Sequence, residues 1–221
     1  MQKTAILLGI TGLTGGILAK KILINNQYSQ VISFTRKPSG IKNPKLTEHV
    51  IDLFKLEDYA EEFIGDVVFC CIGTTQAKTP DKEVYHKVDY GIPLSAARLC
   101  KLNGINTMIT ISAMGADAKS RVFYNRTKGE MERDILNLDI KNSYFMQPAL
   151  IAGDRKEKRL LENLGKQVMK IINPLLIGSL KKYQSIHPDQ IAEAMMNVAE
   201  NGHNKKRIPS DEIKKIANGI N

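Results

Sequence analysis

The 221-residue sequence predicts an α/β protein with a doubly wound parallel sheet, and three observations carry that expectation. Short apolar runs alternate with helical patterns through most of the chain, as βαβ units require. The first run, residues 4–8, is apolar on both faces, as a strand at the centre of a parallel sheet must be. It passes directly into three glycines spaced Gly9-x-x-Gly12-x-x-Gly15 and then into a helical pattern. Strand, glycine turn and helix in that order mark a Rossmann-type fold.

Each element follows from local chemistry. After the strand at 4–8 comes a helix at about 13–24, then a strand at 30–36 ending in Arg36. A loop rich in Pro, Gly and Asn fills 37–45. A short strand is expected at 49–53, a short helix at 57–64, and a strand at 66–72 closed by Gly73. A long helix should run from about 82 to 102, stopped by Asn103-Gly104. A strand at 107–112, a helix at about 123–138 and a strand at 143–150 complete the core. Beyond 155 the pattern predicts a basic amphipathic helix at 157–172, then proline and glycine punctuation. A helix follows His187-Pro188, with Asp189 as its N-cap or first-turn acid, and a last short helix is capped by Ser210. The length suits one domain over 1–221, with a core at about 1–153 and a smaller substrate-side region at about 154–221.

Composition narrows the class. Hydrophobic residues make up 43% and charged residues 25%, which excludes a disordered or fibrous chain. No apolar stretch approaches the ~20 residues of a membrane span. The N-terminus enters a strand at once, leaving no room for a removable signal peptide, so the cytoplasm is the expected compartment. Cys70, Cys71 and Cys100 show no metal spacing and read as small buried hydrophobes. A net charge of +9 raises the question of nucleic acid. The lysines are scattered and lack interleaved aromatics, so a solvated basic surface is the expected reading and nucleic acid is not an expected partner. His86 and His187 have no second ligand at useful spacing and read as helix-surface or cap residues. Met195-Met196 read as core.

The glycine turn indicates a dinucleotide. Gly9, Thr11, Gly12, Leu13, Thr14 and Gly15 are the expected pyrophosphate-binding residues, with the following helix directing its free N–H groups and positive dipole end at the anion. NAD-preferring sites usually place an acid at the end of the second strand. Here that place holds Arg36 and Lys37, a two-pronged cation and a point charge suited to a 2′-phosphate, so NADP is expected over NAD. Asp52 and Leu53 offer a polar contact and an apolar wall for adenine. Ile72, Gly73 and Thr74 lie where ribose and phosphates should pass.

Ser112 ends a strand, and Tyr124 and Lys128 follow in Y-N-R-T-K at the start of a helix. An i,i+4 pair shares one helix face, and a neighbouring cation favours tyrosinate, which suits the phenol to proton transfer. A Tyr-x-x-x-Lys pair also fits an ordinary surface helix. The upstream glycine turn and the strand-terminal serine favour a catalytic set.

These residues carry a resemblance. Gly9-x-x-Gly12-x-x-Gly15, the Ser112/Tyr124/Lys128 set and the order of elements resemble the short-chain dehydrogenase/reductase superfamily, in its extended and atypical branch. The stretches DVVFCCIGTT, KVDYGIPLSAA, ISAMGADAKSRVFYNRTKGEMER and SYFMQPALIAG are similar to the Tat-interacting-protein-like group of atypical members. The resemblance implies NADP(H) along the strand C-termini, Tyr124 as general acid/base, and Lys128 on the nicotinamide ribose. It also implies Ser112 orienting a small carbonyl or alcohol substrate and Pro148 beside the nicotinamide. Gln147 stands where the family strand often has Arg, and Asp89 where well-studied members place a relay Asn. Atypical members are sometimes regulators, so a non-catalytic NADP(H)-sensing module that docks to a protein partner is the competing expectation. A homodimer is also compatible with the resemblance.

Overall fold

The computed structural model of the protein describes residues 2–151 and 184–219. Its strands are β1 (Lys3–Leu8), β2 (Tyr28–Thr35), β3 (Leu46–Val50), β4 (Val67–Cys70), β5 (Thr107–Ile111), β6 (Asn142–Gln147) and β7 (Arg207–Pro209). They form one seven-stranded sheet in the order β3-β2-β1-β4-β5-β6-β7, and every neighbouring pair is parallel. The chain builds outward from β1 to β3, then returns to the other side of β1 as β4. That reversal opens a crevice at the carboxyl ends of β1 and β4, the place where open α/β sheets bind ligands.

Side-chain alternation splits the interior into two layers. On one face Ala5, Leu7 and Phe69 meet α1 (Leu13–Ile24), α5 (Pro188–Asn201) and α6 (Ser210–Ala217) through Leu18, Ile22, Ile191 and Ile213. On the other, Ile6, Leu8 and Val68 meet Leu99 of α3 (Ile92–Leu102) and Met131 and Ile135 of α4 (Phe123–Asn137). Each fully buried Leu or Ile stabilises the fold by roughly 1.5–3 kcal/mol relative to exposure. Met195, Cys70 and Cys100 lie in these layers as expected. β7, α5 and α6 complete the sheet and its cover.

Several elements differ from expectation. β3 ends at Val50, so Asp52 and Leu53 are not strand residues. Asp52 instead accepts from the Phe54 amide at 3.0 Å and caps a 3-10 segment, Leu53–Tyr59. Leu53 and Leu56 both turn inward there, three apart, the period of a 3-10 helix rather than the α-helix expected at 57–64. The long helix expected from 82 to 102 is broken into α2 (Lys82–His86), a π turn (Lys87–Gly91) and α3. Pro93 has no N–H for the carbonyl four residues back, and the Ile92 amide reaches back five residues to the Lys87 carbonyl. His187, not Asp189, caps α5, its Nδ1 accepting from the Asp189 amide at 3.3 Å, while Asp189 sits in the first turn. Ser210 is the first residue of α6 and makes no cap. The helix expected at 157–172 and the punctuation after it lie outside the described residues.

Candidate active site

The glycine turn is shaped by contact with the β4 exit. Gly9 has φ +91°, a conformation that side chains disfavour, and a Cβ there would lie 2.8 Å from the Cys71 carbonyl oxygen. A Cβ on Gly15 would overlap the Gly9 carbonyl oxygen and touch Cys71. The two glycines thus let α1 close down on the turn. Gly12 occupies the N-cap position, no side chain caps the helix there, and Thr11 and Gly12 are exposed. Leu13 is half-buried and Thr14 buried at the first turn.

From this turn a groove of about 570 Å³ runs along α1 to the loop after β2. Thr11, Gly12, Leu13, Lys20, Lys37 and Ser39 line it. Lys37 is held by its carbonyl, which accepts from Thr35 Oγ1 at 2.8 Å, and Arg36 is exposed beside it. Lys20 was not anticipated: it lies further along α1 than the glycines, and only the helical path brings it to the same groove.

Beyond β4 the second half of the site assembles. Ile72 and Thr74 are half-buried and Gly73 is exposed. The Thr74 amide donates to Asp89 Oδ2 at 2.8 Å, and Lys128 Nζ lies 2.9 Å from Asp89 Oδ1. Both charged side chains are buried, Lys128 at 3% and Asp89 at 1% exposure. Lys128 also donates to the Ile111 carbonyl at 3.5 Å. Burial works against the Lys128 ammonium, yet Asp89 and Tyr124 outweigh it and hold the pKa above the ordinary lysine value. Tyr124 sits one turn earlier on α4 and is 41% exposed. Gly73 borders the pair, for a Cβ there would stand 3.5 Å from Asp89 Oδ1 and 3.8 Å from Lys128 Nζ.

Ser112 is placed differently from Tyr124. It is buried at the end of β5, and its hydroxyl donates to Glu132 Oε1 at 2.5 Å. Gln147 Nε2 donates to the same oxygen at 2.9 Å, and Arg207 Nε donates to Glu132 Oε2 at 2.6 Å. Pro148 is buried just past β6, its carbonyl accepting from the Met114 amide at 3.1 Å. Glu132 and Arg207 were missed because nothing local marks them. Glu132 in GEMER reads as an ordinary helix acid until the fold buries it. Tyr85 was also missed: its ring meets Phe123 edge-on at 5.5 Å and its hydroxyl donates to the Thr74 carbonyl at 3.3 Å.

A parallel sheet with a glycine turn at its switch point, and a Tyr and a buried Lys one turn apart on α4, gives the chain a fold of the short-chain dehydrogenase/reductase type. No protein-family profile matches the chain. Among curated proteins it is 28% identical to mitochondrial FMP52 of Candida albicans, over 97% of this chain and 98% of that protein. It is 30% identical to mitochondrial FMP52 of Debaryomyces hansenii over 72% of each. It is 33% identical to HTATIP2 of Rattus norvegicus, over 72% of this chain and 66% of that one. The chain belongs to the atypical short-chain dehydrogenase/reductase superfamily, among the relatives of FMP52 and HTATIP2.

Solved structures agree on the fold. The Bordetella bronchiseptica enzyme WbmH in complex with NAD+ matches 98% of this chain and 79% of that one, with TM-score 0.70 and 14% identity. The ADP-L-glycero-D-manno-heptose-6-epimerase of Helicobacter pylori matches 99% and 82%, with TM-score 0.69 and 14% identity. The expectation of a cytoplasmic location is overturned, because the FMP52 relatives are named as mitochondrial. Among the described residues no helix is long and apolar enough to cross a membrane.

Proposed function

We propose that the chain is an NADP(H)-dependent oxidoreductase acting on a small carbonyl or alcohol, with Tyr124 as general acid/base. The observation that carries this reading is the Lys128 ammonium, buried against Asp89 beside Gly73 and one helical turn from Tyr124. Burying a cation is costly even when it is paired, so a buried ion pair at the sheet's ligand edge points to a functional role.

A Cβ at Gly9 or Gly15 would push the turn off Cys71 or α1 off the turn, so the glycines keep the amino end of α1 where a diphosphate would lie. Gly9, Thr11, Gly12, Leu13, Thr14 and Gly15 would hold the diphosphate, and Arg36 and Lys37 the 2′-phosphate. Asp52 and Leu53 would meet adenine, while Ile72, Gly73, Thr74, Lys128 and Pro148 would bound the nicotinamide half. The cofactor, when bound, supplies or accepts the hydride. Tyr124 gives a proton to the substrate oxygen in reduction and takes it in oxidation. Lys128 favours the tyrosinate by its charge. Ser112 gives its own proton to Glu132, so it would serve a substrate alcohol as a hydrogen-bond acceptor.

That bond also favours a second reading, a non-catalytic NADP(H) sensor, in which Ser112 acts only in the fold. One experiment separates the two. NADPH binding is measured by calorimetry alongside NADPH oxidation over a panel of small carbonyls, for wild type and Tyr124→Phe. Turnover that the variant loses while binding persists supports the enzyme. Binding without turnover across the panel supports the sensor, and no binding removes both. The naming of the FMP52 relatives makes the mitochondrion the first compartment in which to look for the protein.

A further inference from the structure

The Asp89–Lys128 pair has a consequence for Tyr124. A lone ammonium would pull the phenol strongly toward tyrosinate, whereas a carboxylate 2.9 Å from that ammonium offsets part of the pull. We infer that Asp89 is a positioning residue that offsets the Lys128 charge felt by Tyr124, and so sets the proton-transfer step at higher pH than Lys128 alone would. This inference rests on the reading of Tyr124 as the acid/base.

Asp89 lies within the π turn. That turn widens the helix between α2 and α3 at Lys87–Gly91, and Asp89 within it is buried while its neighbours Val88 and Tyr90 are half-buried. Asp89 is fixed from two sides, by the Thr74 amide at 2.8 Å and by Lys128. Its carboxylate therefore ties the β4 exit to α4 and balances the buried cation at once.

Other titratable groups face the pair among the described residues. From β4 comes Cys70, whose thiol burial pushes up to about 11, so it is neutral at working pH. From α2 comes Tyr85, which burial, Asp89 and Tyr124 hold well above the ordinary phenol range, so it too is neutral. At the outer rim the Lys82 ammonium and the Arg126 guanidinium each sit 5.8 Å from the Phe123 ring. His86 pairs with Glu130 at 3.1 Å across the faces of α2 and α4. Lys128, paired with Asp89, is a buried charge coupled electrostatically to Tyr124.

The test reads the charge of Tyr124 directly. Protein with ring-labelled tyrosine is titrated by NMR, and Tyr124→Phe assigns the signal. Asp89→Asn, which leaves an uncompensated ammonium, is expected to lower the Tyr124 midpoint by about one pH unit or more. The double variant Asp89→Asn with Lys128→Gln is again uncharged, and its midpoint should return toward wild type. An unchanged or raised midpoint in Asp89→Asn overturns the inference, as does a double variant that titrates like the single one. Should Asp89→Asn fail to fold, Lys128→Gln is compared with the double variant. The carboxylate left in Lys128→Gln must hold the midpoint above that of the double variant, and equal midpoints overturn the inference. The titration needs no substrate. Turnover that survives Tyr124→Phe would remove the acid/base reading while leaving this result standing.

Discussion

Ser112 Oγ lies 2.5 Å from Glu132 Oε1, a buried hydrogen bond that joins the end of β5 to α4. Glu132 is fully buried, and it gathers Gln147 from β6 and Arg207 from β7 as well. One carboxylate therefore fastens three neighbouring strands to the helix that carries Tyr124 and Lys128. Arg207 is 49% exposed, so only one end of the ion pair bears a full desolvation cost.

Glu132→Ala should be among the costlier single changes, because it strands three donors, two of them on buried or half-buried side chains. About 3 kcal/mol of unfolding free energy is expected, read by urea denaturation. Ser112→Ala leaves Glu132 with two donors and should cost only about 1 kcal/mol. That contrast tests the part played by Ser112. A fall in turnover far beyond the stability change would mark contact with substrate, and a proportionate fall would confine Ser112 to the fold.

Gly15→Ala addresses the cradle. Its new methyl group would collide with the rigid Gly9 carbonyl, so α1 must shift away from β1. We expect NADPH affinity to fall at least about tenfold, since a displaced helix end loses its alignment with the diphosphate. Gly40 also has a positive φ, yet nothing lies within 4 Å of a Cβ there. Gly40→Ala should cost about 1 kcal/mol of backbone strain and leave cofactor affinity unchanged. Calorimetry on both variants separates cradle geometry from general destabilisation.

The contrast between β1 and β3 explains how far the sequence could be read. β1 is buried on both faces and pairs with both β2 and β4, so its apolar run leaves little freedom in its limits. β3 pairs with β2 alone, and its residues alternate weakly between half-buried and exposed. Val50, Ile51 and Leu53 drew the expected strand three residues too far. The placement of Tyr124 and Lys128 on one helix was legible because an i,i+4 pair is a local relationship. Asp89 was visible only as a departure from a family pattern. Its contact with Lys128 spans 39 positions and starts from a π turn that no periodicity announces. Glu132 and Arg207, 75 apart, meet only once β7 has joined the sheet.

Cys70 gives the stability a pH dependence whose sign is fixed. Its thiol is pushed from 9.0 up to about 11 by burial, so the folded state holds the proton where the unfolded chain releases it. The stabilisation is complete below pH 9.0 and is lost as pH rises to about 11. Across that window the loss attributable to Cys70 is about 3 kcal/mol. Cys70→Ala should flatten the decline by one proton's worth, read as the slope of unfolding free energy against pH. An identical slope would show that Cys70 ionises freely in the fold.

Arg36 and Lys37 should decide which dinucleotide binds. A 2′-phosphate carries nearly two negative charges, and each charge-assisted hydrogen bond to it contributes roughly 1.5–3 kcal/mol. Arg36→Ala or Lys37→Ala should then weaken NADPH by roughly tenfold to a hundredfold. NADH lacks that phosphate and should lose almost nothing. Added salt should erode the NADPH advantage, because Arg36 and Lys37 are both exposed and therefore screened. A variant that weakens both cofactors equally would mean that the cations shape the loop rather than grip the phosphate. In that case the absence of an acid after β2 would no longer argue for NADP, because the selectivity must reside in contacts to the phosphate itself.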